Sequence, residues 1–144
     1  NSVSPDVSKA AEQIQLARQF QIKGENETAI ECYNKALDLD ADNVEALNGL
    51  AWILSTADNP AMRNGNKAVD LAMKAAKLSK WRQPTVIETL SVAYANADQY
   101  SNALIMAQAA NELAILTGRS DIAARTAKLQ NFYRIRAAAR PVGQ

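Results

Sequence analysis

The residue types able to do chemistry are few in this chain, and their spacing assembles no reaction centre. It has no histidine, which removes imidazole-based triads, imidazole metal sites and most proton shuttles. Cys32 is the single cysteine, so neither a disulfide framework, a redox thiol pair nor a thiolate zinc site can form within one chain. The serines lie outside any nucleophile-elbow sequence, and no glycine-rich phosphate loop is present. The closest acid pairs, Glu25 with Glu27 and Asp38 with Asp40, fall where helices should begin or end, a placement that suits solvated charge and capping. The expectation is a non-catalytic protein with no cofactor and no bound metal, whose function is binding.

What would position a binding surface is visible in the spacing of the apolar residues. Leu16, Ala17 and Phe20 recur 34 residues later as Leu50, Ala51 and Leu54, and 40 further on as Leu90, Ser91 and Tyr94. Ala29 with Leu39 returns as Ala68 with Leu78 after 39 residues and as Ala103 with Leu113 after 35. Subtraction places five extra residues between Leu54 and Ala68 and one more between Leu78 and Leu90, on an underlying period of 34. A fixed period in this range marks a stacked array, because such units cannot bury their apolar faces alone and present a curved surface once stacked.

Composition agrees with helices. Hydrophobic residues make up 48% of the 144 residues, with alanine dominant and aromatics only 6%, which favours closely packed helices over sheet. The prolines, Pro5, Pro60, Pro84 and Pro141, sit at expected helix boundaries. Net charge is +1, yet residues 119–144 carry about +5 and the remainder about −4. The charges of the basic end are spread over several helix faces, so nucleic acid is disfavoured as a partner. No run approaches the roughly 18 apolar residues of a spanning helix, so no membrane insertion of this segment is expected. A start without Met and with the polar residues Asn1 to Ser4 would suit either a mature product or a domain of a longer protein.

The pattern predicts seven helices. The first is capped by Ser4, opened by Pro5 and closed by Gly24; the second runs from about Asn26 to Asp40. Asp42 or Asn43 caps the third, which ends near Ala57, and an inserted loop spans Asp58 to Gly65. The fourth covers about Asn66 to Ser79, the fifth Pro84 to Ala97, and the sixth Tyr100 to Thr117. Ser120 is expected to cap a seventh carrying Ile122, Leu129, Phe132, Tyr133 and Ile135, with Phe132 and Tyr133 covering the last hairpin.

These residues resemble tetratricopeptide repeats. The likeness lies in Leu16-Ala17, Phe20, Gly24, Ala29, Tyr33, Ala36-Leu37 and Leu39, and in their counterparts Leu47, Leu50-Ala51, Leu54, Ala68, Ala72, Ala75 and Leu78. Ile87, Leu90-Ser91, Tyr94, Tyr100, Ala103, Ala107, Ala110 and Leu113 complete it, so that it covers about residues 10–117. The Pro that usually follows each second helix is replaced by Ala41 after the first repeat. The loop ending in Arg63, Asn64 and Gly65 is similar to a bacterial subset of the family. The resemblance implies an all-α fold, an α-α superhelix of three helical hairpins plus a seventh capping helix. One domain over 1–144 is expected, with repeats at 10–43, 44–80 (insertion 58–65) and 84–117 and the cap at 120–140.

The resemblance also implies that the first helix of each hairpin faces a concave side. Carried over, that face comprises Ile14, Arg18, Gln21, Glu45, Asn48, Trp52, Ser55, Thr85, Glu88, Val92 and Asn96. Trp52 would serve either as an interface anchor or as packing against the inserted loop. Only Arg18 and Asn48 could donate to a peptide carboxylate, which argues against the carboxylate clamp of some family members. Gly49 costs its helix about 1 kcal/mol against Ala, and is either incidental or a point of close approach. The function expected is a scaffold that binds a peptide or partner protein on its concave face. The alternative is a structural or regulatory appendage of a larger, membrane-anchored or exported bacterial protein, with self-association left open.

Overall fold

The computed structural model describes residues 4–139; Asn1 to Val3, Arg140 and Pro141 lie outside them. Among the described residues there are seven α-helices and no strand: α1 (Pro5–Ile22), α2 (Asn26–Leu39), α3 (Val44–Thr56), α4 (Gly65–Leu78), α5 (Pro84–Asn96), α6 (Tyr100–Leu116) and α7 (Ser120–Ala139). A 3₁₀ turn, Pro60–Met62, lies within the inserted loop. Each helix packs on its neighbour in sequence, and α1, α3, α5 and α7 also touch in succession. The result is an α-α superhelix of three hairpins followed by a seventh helix.

Local chemistry explains most boundaries. Side-chain oxygens of Ser4, Asn43 and Asn64 accept the N–H groups of Val7, Ala46 and Lys67 at 3.2, 3.0 and 3.1 Å, satisfying donors that a helix start leaves orphaned. Asn43, not Asp42, therefore caps α3, and the cap at Asn64 starts α4 one residue earlier than expected. Ser120 is not a cap but the first residue of α7: the Ala123 N–H bonds the Arg119 carbonyl at 3.0 Å.

Four helices end with a left-handed residue. Gly24 (φ 80°), Lys80 (φ 56°), Asp98 (φ 61°) and Gly118 (φ 72°) turn the chain, and the N–H after each bonds a carbonyl five residues back, the Schellman closure. After Lys80, Trp81 is left-handed as well (φ 59°). This paired turn lies in the stretch between Leu78 and Leu90 that carries the single extra residue.

The interior is largely alanine. Ala17, Ala29, Ala36, Ala51, Ala68, Ala72, Ala75, Ala93, Ala103, Ala107 and Ala110 are fully buried, which lets backbones approach closely while Leu47, Leu50, Ile53 and Leu90 fill the remaining space. Cys32 is buried beside them, a small apolar residue rather than a reactive thiol. Docking of α7 uses Ile122, Thr126 and Tyr133, all buried, and the Asn111 amide, which donates to the Ala123 carbonyl at 2.8 Å and the Thr126 hydroxyl at 3.1 Å.

Of the two aromatics expected to cover the last hairpin, only Tyr133 does so. It packs with Ala103 and Ala107, whereas Phe132 is half exposed. Adjacent helical positions point about 100° apart, so they cannot both face the core. Arg136 instead lies over the rings of Phe132 and Tyr100 at 5.4 and 5.6 Å from their centroids.

Burial pushes the Tyr133 hydroxyl up to about 12, with Tyr100 and Glu88 adding to the effect. The unfolded chain loses this proton near 10.0 and so binds fewer protons than the native state above that pH. The stabilisation is complete below about pH 10 and declines as pH rises to about 12. Denaturant titrations across this window should show falling stability, and Tyr133→Phe should flatten the fall; an unchanged slope in that variant would contradict the burial of this hydroxyl.

Candidate binding groove

Helical spacing aligns polar side chains from successive first helices along one face. Arg18 and Gln21 come from α1; Glu45, Asn48 and Trp52 from α3; Thr85, Glu88 and Thr89 from α5; Arg125 comes from α7. They line an open cleft of about 290 Å³, bordered also by Gly49 and by the ring of Tyr33 from α2.

Seven of the eleven residues expected on the concave face are thus brought together: Arg18, Gln21, Glu45, Asn48, Trp52, Thr85 and Glu88. Ile14 and Ser55 are not surface residues. Ile14 is part of the core, and the buried Ser55 hydroxyl donates to the Ala51 carbonyl at 2.8 Å. Val92 and Asn96 are half-buried and lie off the cleft, with the Asn96 amide 3.5 Å from the Leu54 carbonyl. Trp52 faces the cleft, while Asp58, Asn59 and Met62 of the inserted loop border a separate concavity with the α1–α2 turn.

Tyr33 and Arg125 were missed. The missed signal for Arg125 is arithmetic: α5 and α7 begin 36 residues apart, at Pro84 and Ser120. That offset sets Arg125 at the position of Thr89, a cleft residue. Read as a fourth first helix rather than only as a cap, α7 would have yielded it.

The charges in the cleft are matched in pairs. Arg18 forms an ion pair with Glu45, both about half exposed, a contact worth about 0 to 1 kcal/mol. Arg125 grips Glu88 with two parallel bonds of 2.8 and 3.0 Å, and the Glu88 side chain is only 6% exposed. A buried carboxylate requires such a partner. Glu88 is therefore bound up in docking α7 to α5, which separates it from the free contact residue expected. The hydrogen bonds to Glu88 raise the Arg125 guanidinium pKa further above its ordinary value.

Several neutral groups are also engaged. The Tyr33 hydroxyl donates to Gln21 Oε1 at 2.8 Å, and burial pushes that hydroxyl's pKa up while the charge of Arg18 opposes the shift. Thr89 donates to the Thr85 carbonyl at 2.9 Å. Asn48 Oδ1 is buried and accepts no hydrogen bond, an arrangement that costs about 1 to 3 kcal/mol if it stays unmatched. Among the described residues no group of three or more Cys, Asp or Glu is arranged to hold a metal ion. No helix among them is long and apolar enough to cross a membrane.

Residues 17–54, from the middle of α1 to the last turn of α3, match the family described as TPR repeat. This matched repeat and the all-helical array around it fit a tetratricopeptide-repeat protein. Comparison with curated proteins finds no match. Tetratricopeptide repeats are typically non-catalytic modules that bind other proteins. In this array the matched stretch supplies Arg18, Gln21, Glu45, Asn48 and Trp52, and the helices beyond it extend the same face to Arg125.

Proposed function

We propose that this protein is a non-catalytic interaction scaffold that lays a segment of a partner protein along the cleft formed by α1, α3, α5 and α7. The observation that carries this reading is Asn48 Oδ1, a buried acceptor without a donor, set beside the large ring of Trp52 in the concave face. A polar atom left unmatched in the free protein is matched when a ligand brings an N–H or O–H to it. Trp52 offers area for an apolar side chain at little entropic cost.

Arg18→Ala, Asn48→Ala and Trp52→Ala combined should abolish retention of the partner while helicity is preserved. Glu88 is left intact because its loss would remove the bidentate anchor between α5 and α7. Asn48→Ala alone should leave stability unchanged or raise it by up to about 1 kcal/mol, since it removes an unmatched buried group. Undiminished retention by the triple variant would refute the groove assignment.

A second reading is an appendage that contacts another domain or another copy through its outer surface. It is favoured by exposed apolar side chains on α6 and α7, Ile105, Ile115, Leu116, Phe132 and Ile135.

A further inference from the structure

We infer that the segment this cleft accepts is uncharged where it crosses α3 and α5, and that it presents hydrogen-bond donors rather than a carboxylate. The inference rests on the groove reading and goes beyond it by naming the chemistry of the occupant. Two cations and two anions line the cleft, and each cation is already held by an anion: Arg18 by Glu45, Arg125 by Glu88. The field over the cleft is that of two closed pairs, so it neither steers nor anchors a charged segment.

Each charged alternative meets a specific obstacle. An acidic segment could take Arg18 from Glu45 at little cost, but it would then lie against the carboxylates of Glu45 and Glu88. A basic segment competing for Glu88 would have to displace a bidentate guanidinium from a nearly buried carboxylate. Meanwhile the Tyr33 and Thr89 hydroxyls donate inward, to Gln21 and to the Thr85 carbonyl. One buried acceptor in the cleft, Asn48 Oδ1, has no donor, and an N–H or O–H would match it. A backbone amide flanked by neutral side chains, one of them apolar and lying on Trp52, meets all these conditions.

The test uses the full chain and three pools of immobilised ten-residue peptides of equal apolar content, one neutral, one acidic and one basic. Affinities are measured at low and at physiological salt, for the wild type and for Asn48→Ala. The neutral pool should bind best, change by less than about twofold with salt, and weaken by about tenfold in Asn48→Ala. Tighter binding of the acidic or basic pool that still depends on Asn48 would overturn the inference and leave the groove reading standing. Binding of every pool unaffected by Asn48→Ala would overturn both.

Discussion

Gly65→Ala should destabilise this protein by about 3 kcal/mol, although the substitution places a better helix former at the first residue of α4. Propensity alone favours Ala by about 1 kcal/mol in a helix interior and by less at a helix start. The opposing term is steric: a Cβ at Gly65 would lie 2.6 Å from the Ala97 nitrogen and 2.7 Å from the Asn96 carbonyl carbon. Those atoms are backbone at the end of α5 and cannot swing aside. The loop cannot retreat either, because the Asn64 N–H bonds the Leu54 carbonyl at 2.8 Å and the Asn64 side chain caps α4. The overlap must therefore separate α4 from α5. Chemical denaturation of the two forms measures the loss, and a neutral or stabilising result would mean that the two helix ends are not in contact as described.

Gly49→Ala should cost about 2 kcal/mol, for a different reason and with a different remedy. A Cβ there would lie 2.3 Å from Tyr33 Cζ and 2.6 Å from its Cε1. Tyr33 is only 2% exposed, and its ring can yield only toward the cleft, at the cost of the hydroxyl's bond to Gln21. The clash is with a side chain, however, and shortening that side chain relieves it. Tyr33→Leu combined with Gly49→Ala should be more stable than the sum of the single losses implies, a coupling expected only for residues in contact. Additive losses would show that the ring does not lie over Gly49. The ring also forms one border of the cleft, so Gly49→Ala should weaken partner binding along with stability.

These two glycines show where sequence reasoning reached and where it stopped. The period of 34 and its two interruptions placed the hairpins because the burial of Ala17, Ala29 and Ala51 repeats in register. The end of the first helix is legible at Gly24, where a left-handed turn suits glycine. The turns at Lys80 and Asp98 adopt the same conformation without that marker. Gly49 reads locally as either an incidental residue or a point of close approach; a ring from α2 decides it, and no local pattern encodes a contact sixteen residues away.

The groove was legible to a similar depth. The face that the resemblance carries over to α1, α3 and α5 contains Arg18, Gln21, Glu45, Asn48, Trp52 and Glu88, all of which line the cleft. The sequence could not separate residues that line a cleft from residues that sink beneath it, which is why Ile14 and Ser55 shared the same list. Nor could it show that Glu88 is held by Arg125 37 positions later, since that pairing depends on how α7 docks. Phe132 and Tyr133 illustrate the same limit, for adjacent aromatics cannot both face inward and only the packed helix reveals which one does.

The central claim is that the partner lies in the cleft and not on the outer surface of α6 and α7. Resonance mapping of the full, isotope-labelled chain with its bound partner tests it most directly. The largest shifts are expected at the Asn48 side-chain amide, the Trp52 indole and the amides of Gln21 and Thr85, with Ile105, Ile115 and Phe132 unmoved. Shifts confined to Ile105, Ile115 and Phe132, with Asn48 and Trp52 unchanged, would contradict it.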